Sequence, residues 1–149
     1  MYIIDQYLNK LNNIRSISLM FIPHKDKIYV GLNKKNNLYE IPGGEIQKNE
    51  EPKDAAIRET LEEIGVLVSN VKELVSPISF KEKQGTLKIY SYIGTFLKYD
   101  NSKWGNGPEG KLERSLININ DMIDNENERL KNTRQIGRCQ HIIKILKSL

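Results

Sequence analysis

Apolar positions recur along this chain in two rhythms. From Tyr2 to Leu11, Ile3, Ile4, Tyr7, Leu8 and Leu11 fall near one face at helical spacing, which predicts a short amphipathic helix. Ile17 to Ile22 and Lys27 to Leu32 are strand-like, and Pro23-His24-Lys25-Asp26 predicts the turn of a hairpin between them. A polar loop, Asn33 to Asn37, precedes Leu38-Tyr39-Glu40-Ile41 and the punctuation Pro42-Gly43-Gly44. The strongest helix runs from Pro52 to Ile64, with Asn49 as its expected cap, Pro52 in its first turn and Gly65 at its end. Val71 to Ser79 and Thr86 to Leu97 read as strands joined by a turn over Lys81 to Gly85. A Gly-rich loop spans Asn101 to Gly110, Leu116 to Ile119 is a last strand, and Arg134 to Leu149 is a closing amphipathic helix. Helices and strands alternate without a strict βαβ rhythm, so a layered α/β or α+β domain is expected.

The 149 residues suit a single domain over 1–149. A hydrophobic share of 38% and a charged share of 28% fit a globular protein with a modest core. No apolar run approaches the length of a membrane span, and the first residues lack the basic and apolar regions of a secretory signal. Cys139 is the single cysteine, so a disulfide framework is excluded and a reducing, cytoplasmic setting is expected. The net charge of +4 favours anionic ligands, but without a long basic run a dedicated nucleic-acid surface is not expected.

Chemistry concentrates on the helix from Pro52 to Ile64. Glu59, Glu62 and Glu63 are spaced i, i+3 and i+4, so their carboxylates project from one face. Ile57, Leu61 and Ile64 are expected on the opposite, buried face. Three like charges at these spacings repel unless a cation sits among them. Magnesium takes carboxylate oxygens, water and substrate phosphates, so the cluster is coherent with a phosphate site. An isolated acidic trio would more simply be a solvated face, and it is the surrounding segment that changes the reading.

Gly44, Glu50, Arg58-Glu59, Glu62-Glu63 and Gly65-Val66 stand at set spacings. The segment from Gly44 to Val66 resembles the Nudix box, G-x5-E-x7-R-E-U-x-E-E-x-G-U, where U is a bulky aliphatic residue. All seven fixed positions match, and the one departure is Thr60 at the first U. With the strands and C-terminal helix around it, the chain resembles the Nudix hydrolase family. The resemblance implies an α/β/α sandwich with a mixed central sheet. It implies a hydrolase cutting a phosphoanhydride bond with Mg2+, for which Mn2+ can substitute. It assigns the Gly44 carbonyl, Glu59, Glu62 and Glu63 to the metal, and Arg58 to holding a glutamate such as Glu50. The general base varies within the family; Glu59, Glu62 and Glu113 are the candidates here.

The expected substrate is a nucleoside triphosphate, oxidised or not, cleaved to a monophosphate and pyrophosphate. ADP-ribose or another nucleotide sugar, an RNA 5′ end, and a catalytically silent nucleotide sensor are the alternatives. The protein would be a monomer or homodimer. Lys34 and Lys35 are candidates for holding phosphate, Glu113 for the substrate side of the site, and Trp104 for stacking on a base. Each has a plainer reading, as a solvated charge or a loop anchor. His24, His141 and Cys139 fit no metal or nucleophile spacing.

Overall fold

The computed structural model describes residues 2–11 and 13–149. The chain runs α1 (Tyr2–Leu11), β1 (Ile14–Phe21), β2 (Pro23–His24), β3 (Lys27–Asn33), β4 (Leu38–Glu40), β5 (Gly43–Glu45), α2 (Pro52–Ile64), β6 (Val66–Glu82), β7 (Gly85–Tyr99), β8 (Glu113–Asn118), α3 (Ile119–Leu130) and α4 (Ile136–Ser148). In α1, Ile3, Ile4, Tyr7 and Leu8 are exposed. The expectation for the Leu11 side chain falls outside the described residues.

Strand alternation builds the layers. Ile17, Leu19 and Phe21 of β1 and Leu87 and Ile89 of β7 cluster with Met122 of α3 and Ile142, Ile145 and Leu146 of α4. The intervening Met20 of β1, Ile22 just beyond it, and Tyr90 and Tyr92 of β7 cluster with Ala56 and Ile64 of α2. Successive side chains leave a strand on opposite faces. Helix α2 therefore covers one face of this sheet and α3 with α4 the other, giving the α/β/α sandwich. Even the buried hydroxyls keep the alternation. Ser18 donates to the Pro52 carbonyl of α2 at 2.7 Å, and Ser91 pairs with Nε2 of His141 in α4 at 3.1 Å.

The central sheet has the order β5-β1-β7-β6. Strands β1 and β7 are parallel and the other pairs antiparallel, so the sheet is mixed. In the second sheet, β3 pairs antiparallel with β2, β4 and β8.

This topology corrects the expected hairpin. β1 lies between β5 and β7 and has no free edge to offer β3, so the chain leaves the first sheet after Phe21. The turn forms at Lys25-Asp26, but it joins β3 only to the two residues of β2. Strands β6 and β7 are longer than predicted; in β6, register shifts between Ser69 and Ile78 interrupt the alternation that marks a strand. Helix α3 was not predicted. Its apolar residues Ile119, Met122, Ile123 and Leu130 do stand at helical spacing, but the residues between them are all polar or charged.

Helix α2 departs from expectation in two ways. Its N-cap is Glu51, not Asn49, and no side chain caps it; Asn49 lies upstream at φ 62. Its buried residues are Pro52, Ala55, Ala56, Glu59, Thr60, Glu63 and Ile64, while Ile57 and Leu61 are only half-buried. Small Ala55 and Ala56 let the helix approach the sheet, and the helix is turned so that two of its glutamates face inward. Thr60 is fully buried and donates to the Ala56 carbonyl at 2.8 Å, which accommodates the departure from the aliphatic pattern.

Candidate active site

A cleft of about 600 Å³ opens between the end of β4, β5, helix α2, the loop after β7 and the start of α4. This lies within the range of sites for small ligands. Its lining includes Gly43, Gly44, Arg58, Glu59, Glu62 and Glu63 from the predicted segment.

The double glycine is required by space rather than by backbone angle. Both residues lie in strand β5, and neither has a positive φ. A Cβ on Gly44 would stand 2.6 Å from the Glu59 carboxyl carbon. The Glu59 side chain is therefore laid against bare backbone, while the Gly43 N–H donates to Oε1 of Glu63 at 2.9 Å. At the far end of α2, Gly65 does need its angle: it closes the helix in the left-handed region at φ 58, and its N–H donates to the Leu61 carbonyl.

Arg58 organises the acids. Nε and Nη2 donate to the two oxygens of Glu50 at 2.8 and 3.1 Å, and Nη2 also reaches the Glu45 carbonyl at 3.0 Å. Nη1 lies between Glu59 and Glu62, at 2.9 Å from an oxygen of each. A planar fork suits such bidentate pairing. Burial raises the proton affinity of Glu50, but the Arg58 hydrogen bond, the Gln47 N–H and the Arg58 charge outweigh it and hold the carboxyl below its ordinary value. Glu59 is raised, because burial exceeds the opposing pull of Arg58. Glu63 is pushed up to about 8, first by burial, with the charge of Glu59 adding to it against the Gly43 N–H.

The donor chemistry fits a hard divalent cation. Glu59 and Glu63 are buried oxygen donors at the edge of an open cleft, and Glu63 makes no ion pair among the described residues. Among the described residues, no three acidic, histidine or cysteine side chains already converge as a closed metal cage. Instead the Arg58 guanidinium holds the place between Glu59 and Glu62. Glu59, Glu62, Glu63 and the Gly44 backbone are the groups that would hold the metal.

The opposite wall comes from sequence far from the box. The loop after β7 is tied to the last turn of α2, whose carbonyls have no partners within the helix. Gly105 N–H donates to the Glu62 carbonyl at 2.7 Å, and Leu112 N–H to the Glu63 carbonyl at 2.9 Å. The Trp104 indole N–H reaches the Glu63 carbonyl at 3.0 Å and the Leu112 carbonyl at 3.3 Å. So pinned, the loop places Asn106, Gly107, Pro108 and Glu109 on the cleft, and α4 adds Gln135 and Arg138.

Four nominated residues lie elsewhere. Trp104 is outside the cleft lining and anchors its own loop; Arg114 lies 3.8 Å and the Lys111 amine 4.8 Å from its ring centre. Lys34 and Glu113 are exposed, 3.8 Å apart and outside the lining. Lys35 is exposed, with its backbone N–H on the Asn33 side chain. The acid that the long loop brings to the cleft is Glu109 rather than Glu113. Glu40, Glu109, Gln135 and Arg138 were not nominated. Glu109 had a signal, an acid next to Pro108 in the Gly-rich loop; Arg138 had none beyond its place on an amphipathic helix.

Comparison with known proteins agrees with this geometry. The NUDIX domain family matches residues 22–134. An 8-oxo-dGTP diphosphatase from Buchnera aphidicola is 33% identical over 70 residues, covering 46% of this chain and 56% of that protein. The chain thus spans little more than half the length of this relative. A NUDIX hydrolase from Nitrosomonas europaea superposes with a TM-score of 0.65 over 86% of each chain at 16% identity. An ADP compounds hydrolase superposes with a TM-score of 0.62 over 90% of this chain and 71% of its own, also at 16% identity. At such identities the two structures share the fold with this chain.

Proposed function

This chain belongs to the NUDIX hydrolase family, and from that premise we propose that it is a divalent-metal-dependent pyrophosphohydrolase of nucleoside triphosphates, releasing a monophosphate and pyrophosphate. The observation that carries the reading is the pair of buried carboxylates, Glu59 and Glu63, set against the β5 glycines at the edge of an open cleft. When bound, magnesium, or manganese in its place, would supply charge compensation on phosphate oxygens and ease deprotonation of the attacking water. Glu59 and Glu63 would hold it with the Gly44 backbone, and Glu62 shares the cluster. Arg58 is a positioning residue that fixes Glu50, Glu59 and Glu62 in one arrangement. Glu62, half-buried with only one oxygen on Arg58, takes the proton from water, and Glu109 on the facing loop is the second candidate. The 8-oxo-dGTP diphosphatase relative favours an oxidised purine nucleoside triphosphate among the substrates.

The test is a turnover panel of normal and oxidised triphosphates, ADP-ribose and 5′-triphosphorylated RNA, with products identified. Monophosphate and pyrophosphate from a triphosphate are expected, with label from ¹⁸O-water on one product. Orthophosphate as the primary product would overturn the bond assignment. Preference for ADP-ribose over every triphosphate would overturn the substrate class.

A further inference from the structure

Three arginines line the cleft: Arg15, Arg58 and Arg138. Arg15 is paired with Glu45 at 3.3 Å and with Glu82 at 2.9 Å. Arg58 is held by Glu50, Glu59 and Glu62. Arg138 alone of the three makes no hydrogen bond and no ion pair through its side chain among the described residues. Its nitrogens are not among the fully buried unpartnered atoms of the described residues, so they keep some contact with solvent, although burial around the guanidinium lowers its proton affinity. The side chain is half-buried and borders both the main cleft and a smaller recess of about 70 Å³ behind it, lined by Glu40, Glu126, Arg129 and Cys139 among others.

A guanidinium carries five N–H donors in a rigid fork, and leaving it part-desolvated without an acceptor is unfavourable. Its nearest acids do not supply one. Glu126 is already held by Arg129 at 2.9 Å, and Glu40 accepts from Asn33 at 2.8 Å. A bound phosphate supplies two acceptor oxygens at the spacing the fork matches. Glu126, Glu40 and Glu63 compensate the Arg138 charge through space without a hydrogen bond, so what a phosphate adds is the acceptor oxygens.

We propose that Arg138 is the phosphate-binding residue on the wall opposite α2, contacting a substrate phosphate through its unpaired guanidinium. The proposal rests on the nucleotide reading above and gives to Arg138 the role that the sequence suggested for Lys34 and Lys35. Arg138 acts on binding and leaves the arrangement of Glu59, Glu62 and Glu63 untouched.

The experiment is calorimetric titration of the intact protein, in magnesium, with three probes. These are inorganic pyrophosphate, an α,β-methylene nucleoside triphosphate that cannot be cut between its first two phosphates, and the bare nucleoside. Arg138→Gln should weaken pyrophosphate and triphosphate alike, by roughly tenfold to a hundredfold, and leave the nucleoside unchanged. In turnover the loss should fall on KM with kcat nearly kept. Arg138→Lys keeps the charge without the fork and should recover part of the affinity; it also serves if the Gln variant fails to fold. Unchanged pyrophosphate binding in either folded variant overturns the proposal. So does a loss confined to the nucleoside, which would make Arg138 a reader of the base. If the wild type binds pyrophosphate through Arg138 but cuts no triphosphate, the substrate reading fails and the anion site stands.

Discussion

The two walls of the cleft are built on opposite principles. The wall from β5 and α2 is internally satisfied: Arg58 bonds four acceptor residues, and Glu63 takes the Gly43 N–H. The wall from the loop after β7 and from α4 is open, with exposed Glu109 and Gln135 and the unpaired Arg138. Groups bound to one another fix a geometry, whereas groups left without partners await a ligand. The first wall should therefore set the rate of the chemical step, and the second the affinity for what is cut.

The comparison breaks first at Glu63. Glu63→Gln should lower kcat by more than the roughly hundredfold that loss of a supporting partner costs, with KM little changed. The fold should survive, since the amide retains an acceptor for the Gly43 N–H. Near-normal turnover at saturating magnesium would remove Glu63 from the site.

The same carboxyl gives a stability prediction. Raised by burial from 4.5 to about 8, Glu63 binds its proton more tightly folded than unfolded. Its contribution is fully present below pH 4.5 and is lost as pH rises through about 8. The thermal midpoint of metal-free protein should fall across that window, and Glu59, also raised by burial, adds in the same direction. Magnesium should flatten the slope, and Glu63→Gln should remove its share. A metal-free midpoint that climbs from pH 5 to 8 would contradict this.

Arg58→Ala should cost about ten- to a hundredfold in activity, because the carboxylates are then misplaced rather than absent. Raised magnesium should restore part of the loss. An unchanged rate with unchanged metal dependence would reduce Arg58 to a surface cation.

The smallest effect is expected from Glu113→Gln, whose carboxylate meets only the exposed Lys34. Stability should move by less than about 0.5 kcal/mol and turnover hardly at all. Glu109→Gln, measured beside it, should lower the rate if the loop acid assists proton transfer. A reversed ranking of the two would return the role to Glu113.

How much of this was legible in sequence follows the same division. The box wall is one continuous segment, so Gly44, Arg58, Glu59, Glu62 and Glu63 could be placed by spacing alone. The facing wall is assembled by topology from residues more than 40 positions beyond Glu63, and no local pattern joins Glu109 or Arg138 to the box. The helical rhythm of α2 also misled. Ile57 and Leu61 mark an apolar stripe, yet the helix buries Glu59 and Glu63, because function put charge on the inward face. The hairpin failed for a related reason: period two identifies a strand but not its neighbour, and β1 chose β7, some 70 residues away.

Trp104 is the single tryptophan of the chain, and its indole N–H sits on the carbonyl of Glu63. That bond makes the protein its own optical probe. The emission of an indole depends on its hydrogen bond and on nearby charge, here Arg114 and Lys111. Loading of the glutamates by a cation should then be readable as a change in native fluorescence, without label or substrate.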